Sequence, residues 1–156
     1  MYKHIILIYM FTINDNQLIA PLEHTKYIIV SSFLFFCSSF YAFQKEAYLL
    51  SGSVFVSGLM SINHWRQPTY SWRRIMDHFS AKVAFIIVII NGFYLYPAFF
   101  TYKLVCLGLV FYFYYMSDKY CNCNILINDI DPCWWKYHVC FHMCCVGSHM
   151  LVIWCI

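Results

Sequence analysis

Charged side chains are scarce in this chain. Only 11% of its 156 residues are Asp, Glu, Lys or Arg, whereas 62% are hydrophobic and 22% are aromatic. About a quarter of the residues of a soluble domain are charged, and a chain with so few cannot cover an apolar core with polar groups. The composition therefore excludes a soluble globular domain and predicts an integral membrane protein that crosses the bilayer several times.

The chain also lacks a clustered basic run and a cysteine pattern typical of a structural zinc site. The net charge of +3 is spread over several loops, and no basic run is present that would hold nucleic acid or an anionic lipid surface. The nine cysteines lack the four-ligand spacing of a structural zinc site. Most of them lie in apolar segments, where cysteine is a small core residue. We therefore expect no nucleic-acid partner and no cysteine-based zinc fold.

Apolar segments that could cross a bilayer recur along the chain. They are predicted at about residues 26–44, 47–64, 78–96, 101–116 and 134–155. Short loops join antiparallel neighbours, so the predicted fold class is all-α, a polytopic transmembrane helix bundle of about five spans in a single domain over residues 1–156. The apolar run within residues 1–14 is too short to span and is interpreted as an interfacial segment.

The last predicted span carries histidines within its apolar run, WWKYHVCFHMCCVGSHMLVIWCI. At about 100° per residue, His138, His142, Cys145 and His149 fall on one face of a helix. Facing lipid, each polar group would lack a partner at a cost of a few kcal/mol, so this face must look into the bundle or towards a metal. His138 and His142 are one turn apart and can both reach one ion. His149 is interpreted either as a residue that supports a metal ligand or as one that is hydrogen-bonded to a neighbouring helix.

Other polar residues are predicted to lie at the same end of the bundle. Ser61 and His64 end the second span and Asp77 begins the third, so alternating helices place them beside His138 and His142, near the start of the fifth. Most lysines and arginines fall on that side too. The positive-inside rule makes it the cytoplasmic side, together with the N-terminus, provided that the first apolar run does not cross.

Three histidines with one open position are the ligand pattern of a catalytic zinc site rather than a closed structural one. His64, His138 and His142 are therefore the predicted zinc ligands, and Asp77 is the acidic residue at the right depth to accept a proton from a zinc-bound water. Ser61, one turn deeper than His64 on the same helical face, is the predicted second polar group of the site.

These residues resemble a known superfamily. Ser-x-x-His at the end of one helix, an Asp opening the next and H-x-x-x-H in the last helix are similar to the pattern of alkaline ceramidases, adipoQ-type receptors and related membrane hydrolases. The resemblance implies that His64, His138 and His142 bind zinc, and that Ser61 and Asp77 hold or activate the zinc water. It also implies a lipid amide or ester as substrate, and so a hydrolase of lipid metabolism.

The resemblance covers chiefly residues 57–84 and 134–150, and the superfamily has more spans than the five predicted here. Its serine also lies one residue further from its histidine than Ser61 does from His64. Two other interpretations remain open. The chain could be a non-catalytic multi-pass membrane protein whose histidines make interhelical hydrogen bonds, or a b-type haem protein with His64 and either His138 or His142 as axial ligands. The sequence identifies no particular lipid and no oligomeric state.

Overall fold

The computed structural model describes residues 19–95, 99–127 and 134–156. All regular structure in these ranges is helical, which confirms the all-α prediction. The helices are α1 (Leu22–Ser32), α2 (Leu34–Gln44), α3 (Tyr48–Trp65), α4 (Trp72–Ile89), a π-helical continuation (Ile90–Leu95), α5 (Phe100–Ile127) and α6 (Trp134–Trp154).

Four segments of the described chain are long and apolar enough to cross a membrane, as a multi-pass integral membrane protein requires. They are Leu22–Gln44, which comprises α1 and α2, then Trp72–Phe93, Phe100–Tyr120 and Trp134–Trp154. Helix α3 coincides with the predicted second span but is not among these four. It is less apolar because its buried face carries several serines and His64.

The outer surface of the bundle is largely apolar, and its interior contains serines and histidines as well as apolar side chains. Large side chains such as Phe40 and Leu49 are exposed, while serines occupy the contacts between helices. Ser39 Oγ donates to the Ser51 carbonyl at 2.9 Å, and Ser51 Oγ donates to the Ser39 carbonyl at the same distance. Lipid tails are as apolar as leucine, so small residues and hydrogen bonds replace the hydrophobic effect as the forces between such helices.

Helices α2 and α3 approach closely at one glycine. A Cβ atom placed on Gly58 would lie 3.0 Å from the Cβ of Phe35, whereas at Gly52, on the same helix, nothing lies within 4 Å. Further along the bundle, α3 packs against α4, α5 packs against α6, and α1 contacts both α3 and α6. The start of α6 therefore lies near the end of α3, as the predicted topology requires.

Helix boundaries near the membrane surface differ from the predicted ones. Helix α4 begins at Trp72 rather than at residue 78, and α5 continues to Ile127 rather than ending near residue 116. The predicted boundaries followed hydropathy, but backbone hydrogen bonds do not depend on side-chain polarity, so both helices extend into polar sequence. The end of the predicted third span, at about residue 96, lies outside the described residues. The predicted interfacial segment 1–14 lies outside them as well.

Two tryptophans at the end of the bundle that carries the histidines are buried inside the protein. Trp65 and Trp134 are 5% and 2% exposed, and their rings stack with centroids 5.7 Å apart. Together with Ala20 and Ile28 they form a hydrophobic cluster that joins α1, α3 and α6 at the end of the bundle that carries the histidines.

Candidate functional site

The two histidines of the H-x-x-x-H pair lie side by side on α6, as predicted. Their ring centroids are 4.7 Å apart. His138 Nδ1 lies 2.8 Å from Ser117 Oγ of α5, and His142 Nδ1 lies 2.8 Å from Ser31 Oγ of α1. When a serine accepts a hydrogen bond from Nδ1–H, the lone pair on Nε2 is left for a metal or a proton. Both rings thus have an oriented nitrogen.

His64 lies in the last turn of α3 and is 2% exposed. Its Nδ1 has no hydrogen-bond partner among the residues that the structure describes. Its ring centroid lies 4.8 Å from that of Trp65, which in turn lies 4.7 Å from that of His138. A buried polar atom without a partner costs about 1–3 kcal/mol, so this nitrogen is a natural contact for a water molecule or an ion.

A cavity of about 50 Å³ connects His64 with His138. One water molecule needs about 10–15 Å³ of such space, so the cavity accommodates a few waters. It lies between α3, α4, α5 and α6 and is partly open to the outside. The lining residues are Ile19, His64, Trp65, Arg74, His78, Tyr114, Ser117, Asp118 and His138. The second histidine of the pair, His142, is not among the lining residues, and its ring lies 5.2 Å from that of Phe35.

The two residues predicted to assist the histidines occupy other positions. Ser61 is buried one turn below His64, and its Oγ lies 3.0 Å from Ser32 Oγ, so it joins α3 to α1. Asp77 is partly buried on α4, and its carboxyl has neither a hydrogen bond nor an ion pair with any described residue. Neither residue is part of the cavity lining. Their predicted catalytic roles stay predictions.

Two lining residues were missed in the sequence. Ser117 and Asp118 fell in a stretch predicted to be a loop, because polar residues begin there. The signal that would have placed them on α5 is helical spacing. Tyr114, Ser117 and Asp118 follow the buried residue Val110 by four, seven and eight residues, so they lie near the same helical face. His78 was not among the predicted site residues, but it lines the cavity together with His64 and His138.

The third histidine of α6 has different surroundings. His149 is 6% exposed, its ring lies 5.7 Å from that of Phe35, and its Nδ1 has no hydrogen-bond partner in the described part of the chain. The predicted bond to a neighbouring helix is therefore not formed there. His149 lines a second cavity, of about 40 Å³, whose other walls are mostly apolar. At its edge Lys103 Nζ donates to the Gly92 carbonyl at 2.9 Å.

The structure thus joins His64 to His138 through a cavity and His138 to His142 through a ring contact. Within the described ranges, no group of three or more His, Cys, Asp or Glu side chains is already arranged to hold a metal ion. The predicted ligands His64, His138 and His142 are therefore not arranged as a metal site in this structure. No protein-family model matches the chain, and no similar curated protein or solved structure was found.

Proposed function

We propose that this chain is an integral-membrane hydrolase that uses zinc, held by His64, His138 and His142, to cleave an amide or ester bond of a lipid. The observation that carries the proposal is that His64 and His138 line one cavity at the same end of the bundle, together with other ionisable side chains such as His78. Isolated polar groups in a membrane interior are costly, and their concentration at one place is typical of a functional site. The lipid substrate class comes from the superfamily resemblance.

The serine contacts support a ligand role for the pair on α6. Metal-binding histidines generally donate their second ring N–H to a carbonyl, a carboxylate or a water, which fixes the tautomer and the ring orientation. Ser117 and Ser31 contact Nδ1 of His138 and His142 in the positions of such partners. The third predicted ligand is His64, whose Nδ1 has no hydrogen-bond partner among the described residues.

Bound zinc would polarise the substrate carbonyl and make a water molecule more acidic. The chain's own residues would then hold that water in the cavity, take its proton and return it to the departing amine or alcohol as the carbon–nitrogen or carbon–oxygen bond breaks. Asp77 is the predicted proton acceptor and Ser61 the predicted positioning hydroxyl. By the positive-inside rule, the cavity opens towards the cytoplasmic face, where a lipid's polar group would reach it.

A second candidate is a non-catalytic membrane protein, and the same hydrogen bonds favour it. The pairs Ser31–His142 and Ser117–His138 tie α1 and α5 to α6. Interhelical hydrogen bonds of this kind are worth on average about 0.6 kcal/mol in a membrane protein, so two of them contribute modestly to the bundle's stability. In this case the histidines would bind no metal.

Elemental analysis of the purified full-length protein separates the candidates. The zinc hydrolase predicts about one zinc per chain that survives dialysis and is removed by a strong chelator. Absence of stoichiometric metal would contradict it and favour the structural role. An absorption spectrum of the same sample tests the haem interpretation, since haem would give a Soret band and zinc would not.

A further inference from the structure

The second cavity, near the end of α6, has no role in the proposal above. It has a volume of about 40 Å³, is partly open to the outside, and is lined by α4 with its π-helical continuation, α5 and α6. Most of its lining is apolar, but Lys103 of α5 and His149 of α6 contribute nitrogen atoms. An apolar pocket with a few polar groups is the usual form of a site for a small molecule.

Lys103 lies near the start of α5, and its side chain is buried in the bundle. Lysines near the ends of membrane helices usually extend to the water at the surface, but Lys103 is only 4% exposed. Its Nζ donates to the Gly92 carbonyl at 2.9 Å. An ammonium group has three N–H donors, and a bond to a neutral carbonyl does not cancel its charge. The lysine therefore brings a positive charge to a mostly apolar cavity.

The backbone around Lys103 is also unusual. The N-terminus of a helix carries a partial positive charge, so a lysine at the first turn of α5 is electrostatically unfavourable for the helix itself. Gly92, which accepts its hydrogen bond, lies in the π-helical segment Ile90–Leu95, and such segments are frequent at functional sites. A Cβ atom on Gly92 would lie 2.9 Å from Val152 Cγ2, so only glycine leaves room for α6 here. The local structure is thus adapted to hold the ammonium inside the bundle.

The groups around this cavity are complementary to an anion with an apolar chain. His149 is 6% exposed, and its Nδ1 has no hydrogen-bond partner among the described residues. Among those residues, the cavity lining contains no Asp or Glu. The cavity has room for a few water molecules, which suits a carboxylate group. Outside it, Ile90 and Leu104 are 47% and 46% exposed and give the surface beside the lining an apolar character.

We propose that this cavity binds the carboxylate of a long-chain fatty acid, with the ammonium of Lys103 as its charge partner and the imidazole of His149 as a hydrogen-bond donor. The alkyl chain leaves through the open side of the cavity and lies against the apolar surface of α4 and α5. A charge-assisted hydrogen bond is about twice as strong as a neutral one, so Lys103 contributes most of the selectivity for an acid. The inference does not rest on the proposed metal site and shares no residue with it.

The test is the binding of radiolabelled oleate to the delipidated full-length protein at a fixed detergent concentration. Lys103→Gln removes the charge but keeps a donor for the Gly92 carbonyl. The matched variant is Lys45→Gln, which removes the charge of an exposed lysine between α2 and α3. We expect Lys103→Gln to weaken oleate binding by about 10–100-fold and Lys45→Gln to change it by less than about two-fold. His149→Phe, which keeps a planar ring, should weaken it by about 3–10-fold.

A comparison of ligands on the wild-type protein keeps the test independent of how the variants fold. Oleyl alcohol has the same chain without the charge and should bind at least about ten-fold more weakly than oleate. Equal binding of the acid and the alcohol, or wild-type oleate affinity in Lys103→Gln, would overturn the inference. Stronger displacement of oleate by phosphatidate than by unlabelled oleate would overturn it too, because the cavity would then hold a phospholipid head. Zinc content measured on the same samples reports on the hydrolase separately.

Discussion

The two ends of α6 carry the same residue type on the same helical face in opposite surroundings. At one end His138 and His142 each contact a serine hydroxyl at 2.8 Å, and His138 borders a polar cavity. At the other end His149 packs near Phe35, borders a mostly apolar cavity and has no hydrogen bond to any described residue. All three histidines project from one face of α6, but the neighbouring helices determine which contacts each histidine makes.

The difference arises from what the facing helices present. Near the start of α6 these are Ser31 of α1 and Ser117 of α5, which satisfy the ring nitrogens and fix their orientation. Near its end they are mostly apolar side chains such as Val88 and Val110, and the lysine of that cavity, Lys103, donates to the Gly92 carbonyl. Metal-binding histidines are generally oriented by a hydrogen bond to the second ring nitrogen, so the proposed metal site belongs to the first end rather than to the second.

The largest difference between the two ends of α6 is expected in zinc binding. His142→Ala removes a ligand and should lower zinc affinity by at least about 100-fold, more than the loss of an outer partner does, while His149→Ala should leave the zinc content near that of the wild type. Zinc per chain after dialysis measures both. Equal zinc contents in the two variants, whether retained or lost, would contradict the division between the ends of α6.

The next effect is on turnover. Asp77→Asn keeps the size of the side chain but removes its charge and basicity, so turnover of a lipid amide or ester should fall by about 100-fold if Asp77 is the general base. Zinc content should not change. Unaltered turnover with full zinc occupancy would exclude Asp77 as the base and leave Asp118 as the carboxylate at the cavity.

Much of the fold followed from the sequence because hydropathy and helical period are local properties. The all-α bundle and the ring contact of His138 with His142 needed only helix geometry and chain parity. The partners of those rings could not be predicted, since they depend on how α1 and α5 lie against α6. Ser117 and Asp118 were missed for a simpler reason. The predicted span ended at the first polar residues, but a helix at a membrane surface can continue past them.

Ser61 tests a smaller catalytic contribution. Ser61→Ala removes a hydroxyl that lies 3.0 Å from Ser32 Oγ. A hydroxyl that orients a water or an oxyanion is partly replaced by solvent, so turnover should fall by about ten-fold, between the values of the wild type and Asp77→Asn. The control is Ser57→Ala, a buried serine one turn deeper on the same helix. Equal effects of the two substitutions on turnover would show that Ser61 acts only through packing.

The smallest effect concerns stability and returns to the two ends of α6. His149→Leu replaces a buried ring whose Nδ1 has no described partner, so the loss of its unsatisfied nitrogen should offset the change in packing. We expect the free energy of unfolding to stay within about 1 kcal/mol of the wild type or to increase. His142→Leu instead removes the bond to Ser31 and should destabilise the metal-free protein by about 0.5–1.5 kcal/mol. Thermal unfolding in detergent after chelator treatment compares the two. A larger loss for His149→Leu than for His142→Leu would mean that His149 has a bound water or another polar partner, and the contrast between the two ends would then no longer hold.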